Sequence, residues 1–384
     1  MTVALPLSDE QRALRDVVRE FARETVMPRV REYDERESIP RDILDRMREL
    51  NLFGGTVPVE YGGLGLDHVT YSALIEEMAW ADHILGVMMS MPSALVGSGI
   101  LAHGTEEQKQ RWLVPLARGE IFGGAGVTEP QSGTDVAGMQ TTYRRDGDGF
   151  VIQGTKTWIS NLDIASFFIT FATFDRSLRH KGISAFIIPR DTPGLTVRPF
   201  RNKLGFRPIC TGELILDGVR VGPEALVGEE GAGFKVAMTS VERGRLAVAS
   251  RAVGMAQACL DDSLAYARER VVFGQPISEY QLIQQKIADM ATEISAARLL
   301  VRNCAQVLDR GERGRVETSM AKMFASDVAQ RAATEAVQIH GAYGASDEFR
   351  VGRMYRDAKI FQIVEGTNEL HRKLIAEHEL GQRG

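Results

Sequence analysis

The chain has 384 residues, 44% of them hydrophobic and 25% charged, which excludes a disordered polypeptide and gives enough apolar material for two or three packed domains. Its 46 basic and 51 acidic residues leave a formal charge of -5, which disfavours nucleic acid and anionic membrane surfaces as partners. Three cysteines, Cys210, Cys259 and Cys304, lie far apart without paired spacing, so neither a disulfide framework nor a metal site is expected and a reducing, cytoplasmic setting fits.

The N-terminus reaches Asp9 and Glu10 without a basic, apolar leader, and no export or organelle address is expected. From Ser8 to about residue 120 the pattern is helical. Ser8 and Gln11 form a capping-box signature, Pro40 suits a first helical turn, and Thr105 with Gln108 forms a second box. Residues 83–104 are free of Asp, Glu, Lys and Arg and long enough to span a bilayer, but Pro92 and interspersed Ser and Gly dilute the run. It reads as a buried helix and turn, with no membrane insertion. Between 121 and 227 the texture changes to short β-rich runs, Phe150-Val151-Ile152, Phe167 to Phe174, Ala185 to Ile188 and Glu213 to Leu216, with a turn signal at Asp146-Gly147-Asp148-Gly149. After the glycine-rich loop 227–233, apolar residues return at helical spacing, as in Val253, Ala256 and Leu260, then Ile283, Ile287, Met290 and Ile294, then Met320, Met323 and Val328. The division is thus a helical domain (1–120), a β-barrel-like domain (121–227) and a helical bundle (228–384). Strands do not alternate with helices, so the class is α+β and not a doubly wound sheet.

Several common motifs fail. Gly124-Ala125-Gly126 and Gly231-Ala232-Gly233 do not continue as a dinucleotide fingerprint, and residues 228–235 lack the phosphate-loop hydroxyl because Val236 stands there. No nucleophile elbow occurs. His371 and His378, seven apart, are too widely spaced for a close metal pair and read as helix-surface residues. Catalysis therefore falls to a carboxylate, a bound cofactor or both.

Four separated stretches carry a stronger signal. They are Val127-Thr128-Glu129-Pro130-Gln131-Ser132-Gly133-Thr134-Asp135, Gly154-Thr155-Lys156-Thr157-Trp158-Ile159-Ser160-Asn161, Lys203-Leu204-Gly205-Phe206-Arg207, and Arg356 through Glu365-Gly366-Thr367-Asn368. Arg268 to Gly274 and Gln338 to Gly344 support them. Singly, Thr-Glu-Pro reads as a turn and Glu-Gly-Thr-Asn as a helix start with a capping residue. Together, in this order, they resemble the flavin-dependent acyl-CoA dehydrogenases over essentially the whole chain.

The resemblance implies an α-helical domain, a β domain and a C-terminal four-helix bundle, with FAD extended between the last two. It also implies a homotetramer, a dimer of dimers, in which a neighbouring subunit touches the adenine half of each FAD. The implied reaction removes the α-proton of an acyl-CoA thioester and passes the β-hydrogen as hydride to flavin N5, giving the trans-2-enoyl-CoA. Electrons then go to an electron-transfer flavoprotein. Glu365 matches the catalytic base, and burial would raise its pKa, with Ile363 and Val364 as apolar surroundings. The plain alternative is a first-turn carboxylate near a helix dipole. Gly244 stands at the position where some relatives carry the base instead.

For the cofactor, Ala125, Val127, Thr128, Gly133 and Thr134 match the loop along the flavin. Trp158, Ile159 and Ser160 match the strand against its ring, with the Ser160 hydroxyl toward N5. Arg270, Phe273, Gln281, Gln338, Ile339, Gly341 and Ala342 match the positions around pyrophosphate and adenosine, and Thr367 and Glu369 further contacts beyond the base. Bundle core is the competing reading of Phe273. Thr134, Glu242, Arg245, Val364 and Gly366 are the expected substrate-side residues; a salt-bridge or cap role competes for Glu242 and a solvated helix charge for Arg245. Val364 stands where tyrosine is frequent and Gly244 where a larger side chain narrows the cavity, so with residues 90–99 as pocket floor a short branched or cyclic acyl group is expected. Ile209 and Ala342 depart from the family's usual serine and glycine, and His340 reads as packed or backbone-bonded. An acyl-carrier-protein thioester as substrate, and oxidase or monooxygenase chemistry on the same fold, are the alternatives. A non-catalytic thioester-binding protein would be marked by loss of the base or flavin-loop residues, and neither is lost.

Overall fold

The structure is a computed structural model and describes residues 7–382. Residues 1–6, part of the segment read for a leader, lie outside the described residues. Helix α1 (Asp9–Phe21) begins at the expected box: Ser8 Oγ accepts from the Gln11 N–H at 3.1 Å and the Gln11 side chain accepts from the Ser8 N–H at 2.9 Å. Helices α2 (Val30–Arg36) and α3 (Arg41–Glu49) follow, with Pro40 as the N-cap of α3, one residue outside the first turn where it was expected. Next come α4 (His68–Ser90), α5 (Gly97–His103), α6 (Glu106–Gln108), which opens on the second box, and α7 (Val114–Ala117). The uncharged run is the last third of α4, a turn and α5, all largely buried. Among the described residues no helix is long and apolar enough to cross a membrane. Helix α4 breaks at Asp82 (φ -156°, ψ 116°), whose carboxylate receives the Tyr33 hydroxyl at 2.6 Å and Arg353 Nη1 at 2.8 Å.

The β domain comprises β1 (Phe122–Gly126), β2 (Thr142–Asp146), β3 (Gly149–Ser160), β4 (Ala165–Thr173), β5 (Ile183–Pro189), β6 (Leu195–Pro199), β7 (Thr211–Val221) and β8 (Leu226–Val227). They form one sheet in the order β6-β7-β3-β2-β4-β5-β8, with β1 parallel to β4. Each predicted β-rich run lies in a strand, with Phe174 one residue past the end of β4, and the turn signal closes the β2–β3 hairpin with Gly147 at φ 63°. The β3–β7 register shifts between Lys156 and Ile159, a bulge that puts Trp158 at φ 60°.

The last domain holds α8 (Gly233–Glu269), a short ribbon of β9 (Val271–Val272) and β10 (Gln275–Pro276), α9 (Gln281–Asp309), α10 (Arg315–His340), α11 (Val351–Phe361) and α12 (Asn368–Glu379). Small residues such as Ala252, Ala256, Ala297, Ala325, Ala329 and Ala333 fill its centre, so the helix backbones approach closely. Two contacts seat the β domain on this bundle. Gly233, the first residue of α8, lies against the Ser184 backbone, and the Phe206 N–H donates to Asp357 on α11 at 2.8 Å. Arg298 of α9 joins Glu76 of α4 at 2.7 Å, fixing the first domain to the third.

Candidate active site

Helices α11 and α12 meet in a turn that the bundle holds from below. Within it Glu365 adopts φ 56° and Gly366 φ 95°. Left-handed backbone costs a non-glycine residue about 1–2 kcal/mol, so the turn needs external support. Helix α10 provides it. Lys322 Nζ donates to Gly366 O at 2.7 Å and Asn368 Oδ1 at 2.9 Å, while Asn368 Nδ2 and Gln362 Nε2 each donate to Asp327 Oδ1 at 2.7 Å. The Asn368 N–H closes the turn on Gln362 O at 3.0 Å, and Thr367 caps α12 by accepting from the Leu370 N–H. Glu-Gly-Thr-Asn is thus a capped helix start and, in the same stroke, a rigid mount for a carboxylate.

That carboxylate is aimed at α8. A Cβ at position 244 would stand 2.7 Å from Glu365 Cδ and 2.8 Å from each carboxylate oxygen, so only glycine leaves the space. The volume that Gly244 was expected to give the substrate is taken by the base candidate itself. Burial lifts the Glu365 pKa to about 7, against the pull of Arg251, Arg245 and Lys322. Arg245 is buried, not solvated, and its Nε donates to Glu365 O at 3.4 Å. Glu242 is half-buried on α8 beside Arg243 and Arg245. Burial pushes Lys322 down to about 7, despite Glu365 nearby.

Two neighbours differ from expectation. Ile363 is 51% exposed and does not enclose the carboxyl; Val364 packs on the bundle core, and the protein mass of α8 and α10 does the desolvating. His371 is fully buried against Gly366, not on the helix surface, because α12 folds back over the turn; burial holds it near 3 and therefore neutral. His378 is exposed.

The flavin-loop candidates form a second cluster, on the β domain. Glu129 and Lys156, both buried, pair at 2.7 Å, and Glu129 also accepts from the Thr141 N–H at 2.9 Å. Burial disfavours both charges; it takes Lys156 down to about 8, whereas pairing outweighs it for Glu129, which is lowered. The Thr157 N–H donates to Thr128 O at 2.8 Å, tying the loop to the bulge of β3. Val127, Thr128 and Ala125 are half-buried, Ile159 is buried, Ser160 is half-buried, and Gly133 and Thr134 are exposed. Trp158 is 61% exposed, its ring resting edge-on against Phe200 at 5.0 Å. A broad indole face held open at positive φ, beside threonine and serine hydroxyls, fits a planar heteroaromatic ring with a polar edge.

The third group lies elsewhere. Arg270, Phe273, Gln281, Gln338, Gly341 and Ala342 are exposed at the far end of the bundle, where His340 stacks on Tyr266 at 4.3 Å and bonds to Ala336 O at 2.8 Å; Ile339 is buried there. Phe273 is not bundle core: it is 95% exposed at the tip of the β9–β10 ribbon, at φ 53°. From Gly244 to Arg270 helix α8 advances roughly 40 Å at 1.5 Å per residue, so one chain does not bring this group to Glu365. Thr367 is spent on its cap and Glu369 is exposed on α12. No group of three or more His, Cys, Asp or Glu suited to a metal occurs among the described residues.

Sequence reading missed Lys322 and Arg251, both buried beside Glu365. A signal exists for each, a lone cation in a small, apolar helical run: Ala247 to Ala256 around Arg251 and Met320 to Ala325 around Lys322.

Comparison with known proteins bears on this geometry. Family descriptions match in order: acyl-CoA dehydrogenase N-terminal domain over residues 8–120, middle domain over 124–219 and C-terminal domain over 231–380. The mitochondrial short-chain specific acyl-CoA dehydrogenase of Bos taurus is 41% identical over 98% of this chain and 92% of its own length. A solved structure described as the electron transferring flavoprotein of Acidaminococcus fermentans superposes with TM-score 0.95 at 39% identity, covering 98% of this chain and all of that one. A glutaryl-CoA dehydrogenase from Mycobacterium smegmatis in complex with FADH2 superposes with TM-score 0.93 at 30% identity, covering 98% and 96%. Matched along nearly its whole length by all three domains in family order, the chain belongs to the acyl-CoA dehydrogenases, a family of FAD enzymes.

Proposed function

We propose that the chain desaturates short acyl-CoA thioesters between Cα and Cβ, with Glu365 as the base. The observation that carries this reading is the Glu365 carboxyl itself, fixed by Lys322 and Asn368, nested over Gly244 and raised to about 7. A base with a pKa near the working pH combines ionisation with proton affinity. Glu365 takes the α-proton; the electron pair of that C–H bond becomes the new double bond as the β-hydrogen leaves with its own pair. FAD, when bound, supplies the two-electron acceptor for that hydrogen. The Glu365 N–H, without a partner among the described residues, is available to the thioester oxygen, where a donor stabilises the developing enolate. Arg245, buried at the Glu365 carbonyl, orients the peptide unit beside it.

Residues 125–134 and Trp158 to Ser160 would hold the flavin ring. Arg270, Phe273, Gln281 and residues 338–342, distant from Glu365 in their own chain, would hold the pyrophosphate and adenosine of a second copy's FAD. This supports a homotetramer built from such pairs, since a site split between chains is incomplete in a monomer. The similarity to the structure described as an electron transferring flavoprotein supports that class of protein as electron acceptor. Short acyl groups are favoured because the space at Gly244 is filled by Glu365 and that at Gly86 by the stem of Arg251.

Anaerobic titration of the yellow protein with acyl-CoAs from butyryl to palmitoyl tests this. Bleaching with short chains is expected, and flavin that no acyl-CoA reduces would overturn the reading.

A further inference from the structure

Arg251 lies seven residues beyond Gly244 on α8, hence on the same face and about 10 Å further along. It is 5% exposed, and Nη1 is buried with no hydrogen-bond partner. Nε donates only to Ala247 O, one turn back in its own helix, at 3.4 Å. Among the described residues no carboxylate forms an ion pair with it. The guanidinium carbon stands 6.0 Å from the Phe206 ring and 5.7 Å from that of Phe361, one turn before Glu365. Its stem passes over Gly86 of α4, where a Cβ would meet Arg251 Cγ at 3.0 Å and Cδ at 3.1 Å. Arg251 pulls the Glu365 carboxyl down and Glu365 pulls the Arg251 guanidinium up, so the two charges sense each other.

A buried guanidinium without an anion is costly, and neither Phe206 nor Phe361 replaces a carboxylate. Its natural complement is a planar carboxylate taken bidentately. We propose that Arg251 is a specificity determinant that receives a carboxylate at the far end of the acyl group, so that the preferred substrates are short dicarboxylyl-CoA thioesters. This rests on the reading of Glu365 as the base: with the α-carbon at Glu365, a short acyl chain running along the face of α8 past Val248 ends at the guanidinium. A methyl terminus would leave that cation buried and unpaired, and sites built for a polar group reject the analogue lacking it far more strongly than they sense one methylene.

The test compares glutaryl-CoA with pentanoyl-CoA, equal in acyl carbon number, on the flavin-loaded protein with an artificial electron acceptor. Glutaryl-CoA is expected to exceed pentanoyl-CoA in kcat/KM by about 100-fold. Arg251→Gln should invert that ratio and Arg251→Lys should partly restore it, whereas a merely structural role would lower both substrates alike. Should Arg251→Gln fail to fold, the comparison on the unmodified protein still decides. Faster turnover of pentanoyl-CoA there overturns the proposal while leaving Glu365 as base; no bleaching with any acyl-CoA, methyl-ended or carboxylated, removes both.

Discussion

The two ends of α8 behave as opposites. Near Gly244 the parts are cross-linked around a half-buried carboxyl: Glu365 has one place to sit, and the buried Lys322 and Asn368, with Asp327, hold its turn. Near Arg270 the residues that match cofactor positions, Ile339 apart, stand in solvent, with Phe273 almost wholly exposed. A side chain that large and apolar, presented at the tip of a ribbon, gains nothing from its own fold. On the proposed reading the first end carries the chemistry within one chain, and the second would complete a cofactor site only against another copy.

The sharpest way to break the first end is Glu365→Gln, which keeps the shape but not the proton affinity. Flavin should stay bound while the rate of substrate-dependent bleaching in stopped flow falls about 10³-fold; bleaching at the original rate would remove Glu365 from the mechanism. Gly244→Ala attacks the same point from α8, because the new methyl would occupy the carboxyl's position. A loss in kcat of about 100-fold is expected, with little change in melting temperature if the carboxyl swings away. Lys322→Met leaves the Gly366 carbonyl and Asn368 without their cation and should cost about 2–3 kcal/mol in urea unfolding.

The open end predicts the reverse pattern. Phe273→Ala should change monomer stability by about 0.5 kcal/mol or less, because the ring buries nothing in its own chain, yet lower FAD retention and the mass seen by light scattering. Unchanged mass and flavin content would separate that end from assembly.

The remaining test is the dependence on pH. Glu365 titrates near 7 in the fold and at about 4.3 unfolded. Its protonated form is the one the fold favours, so its contribution to stability is full below about pH 4 and is lost as pH rises through 7. Activity runs the other way: kcat/KM should climb about tenfold per unit below pH 7 and level above it. A profile flat from pH 5 to 8 would contradict a base titrating near 7.

Much of the architecture was legible because its causes are local. Both capping boxes form, every predicted β-rich run is a strand, and α8, α9 and α10 follow the apolar spacing, since caps, turns and periodicity act within a few residues of sequence. The candidate base was legible only through the order of four motifs, because a lone Glu-Gly-Thr-Asn is also a helix start, which it is here. Arg251 and Lys322 were legible in retrospect as isolated cations in small apolar runs, but nothing in those runs names the partner.

Sequence by itself therefore determined the fold class and the family. Only the tertiary structure decided that Gly244 houses a carboxyl and does not enlarge the pocket, that His371 is buried, that Ile363 faces solvent, and that the Arg270 end lies a helix length from Glu365. These are meetings between residues tens or hundreds of positions apart. The packing of α8 against α4, α10 and the Glu365 turn sets them, and a one-dimensional pattern records the pieces but not which of them touch.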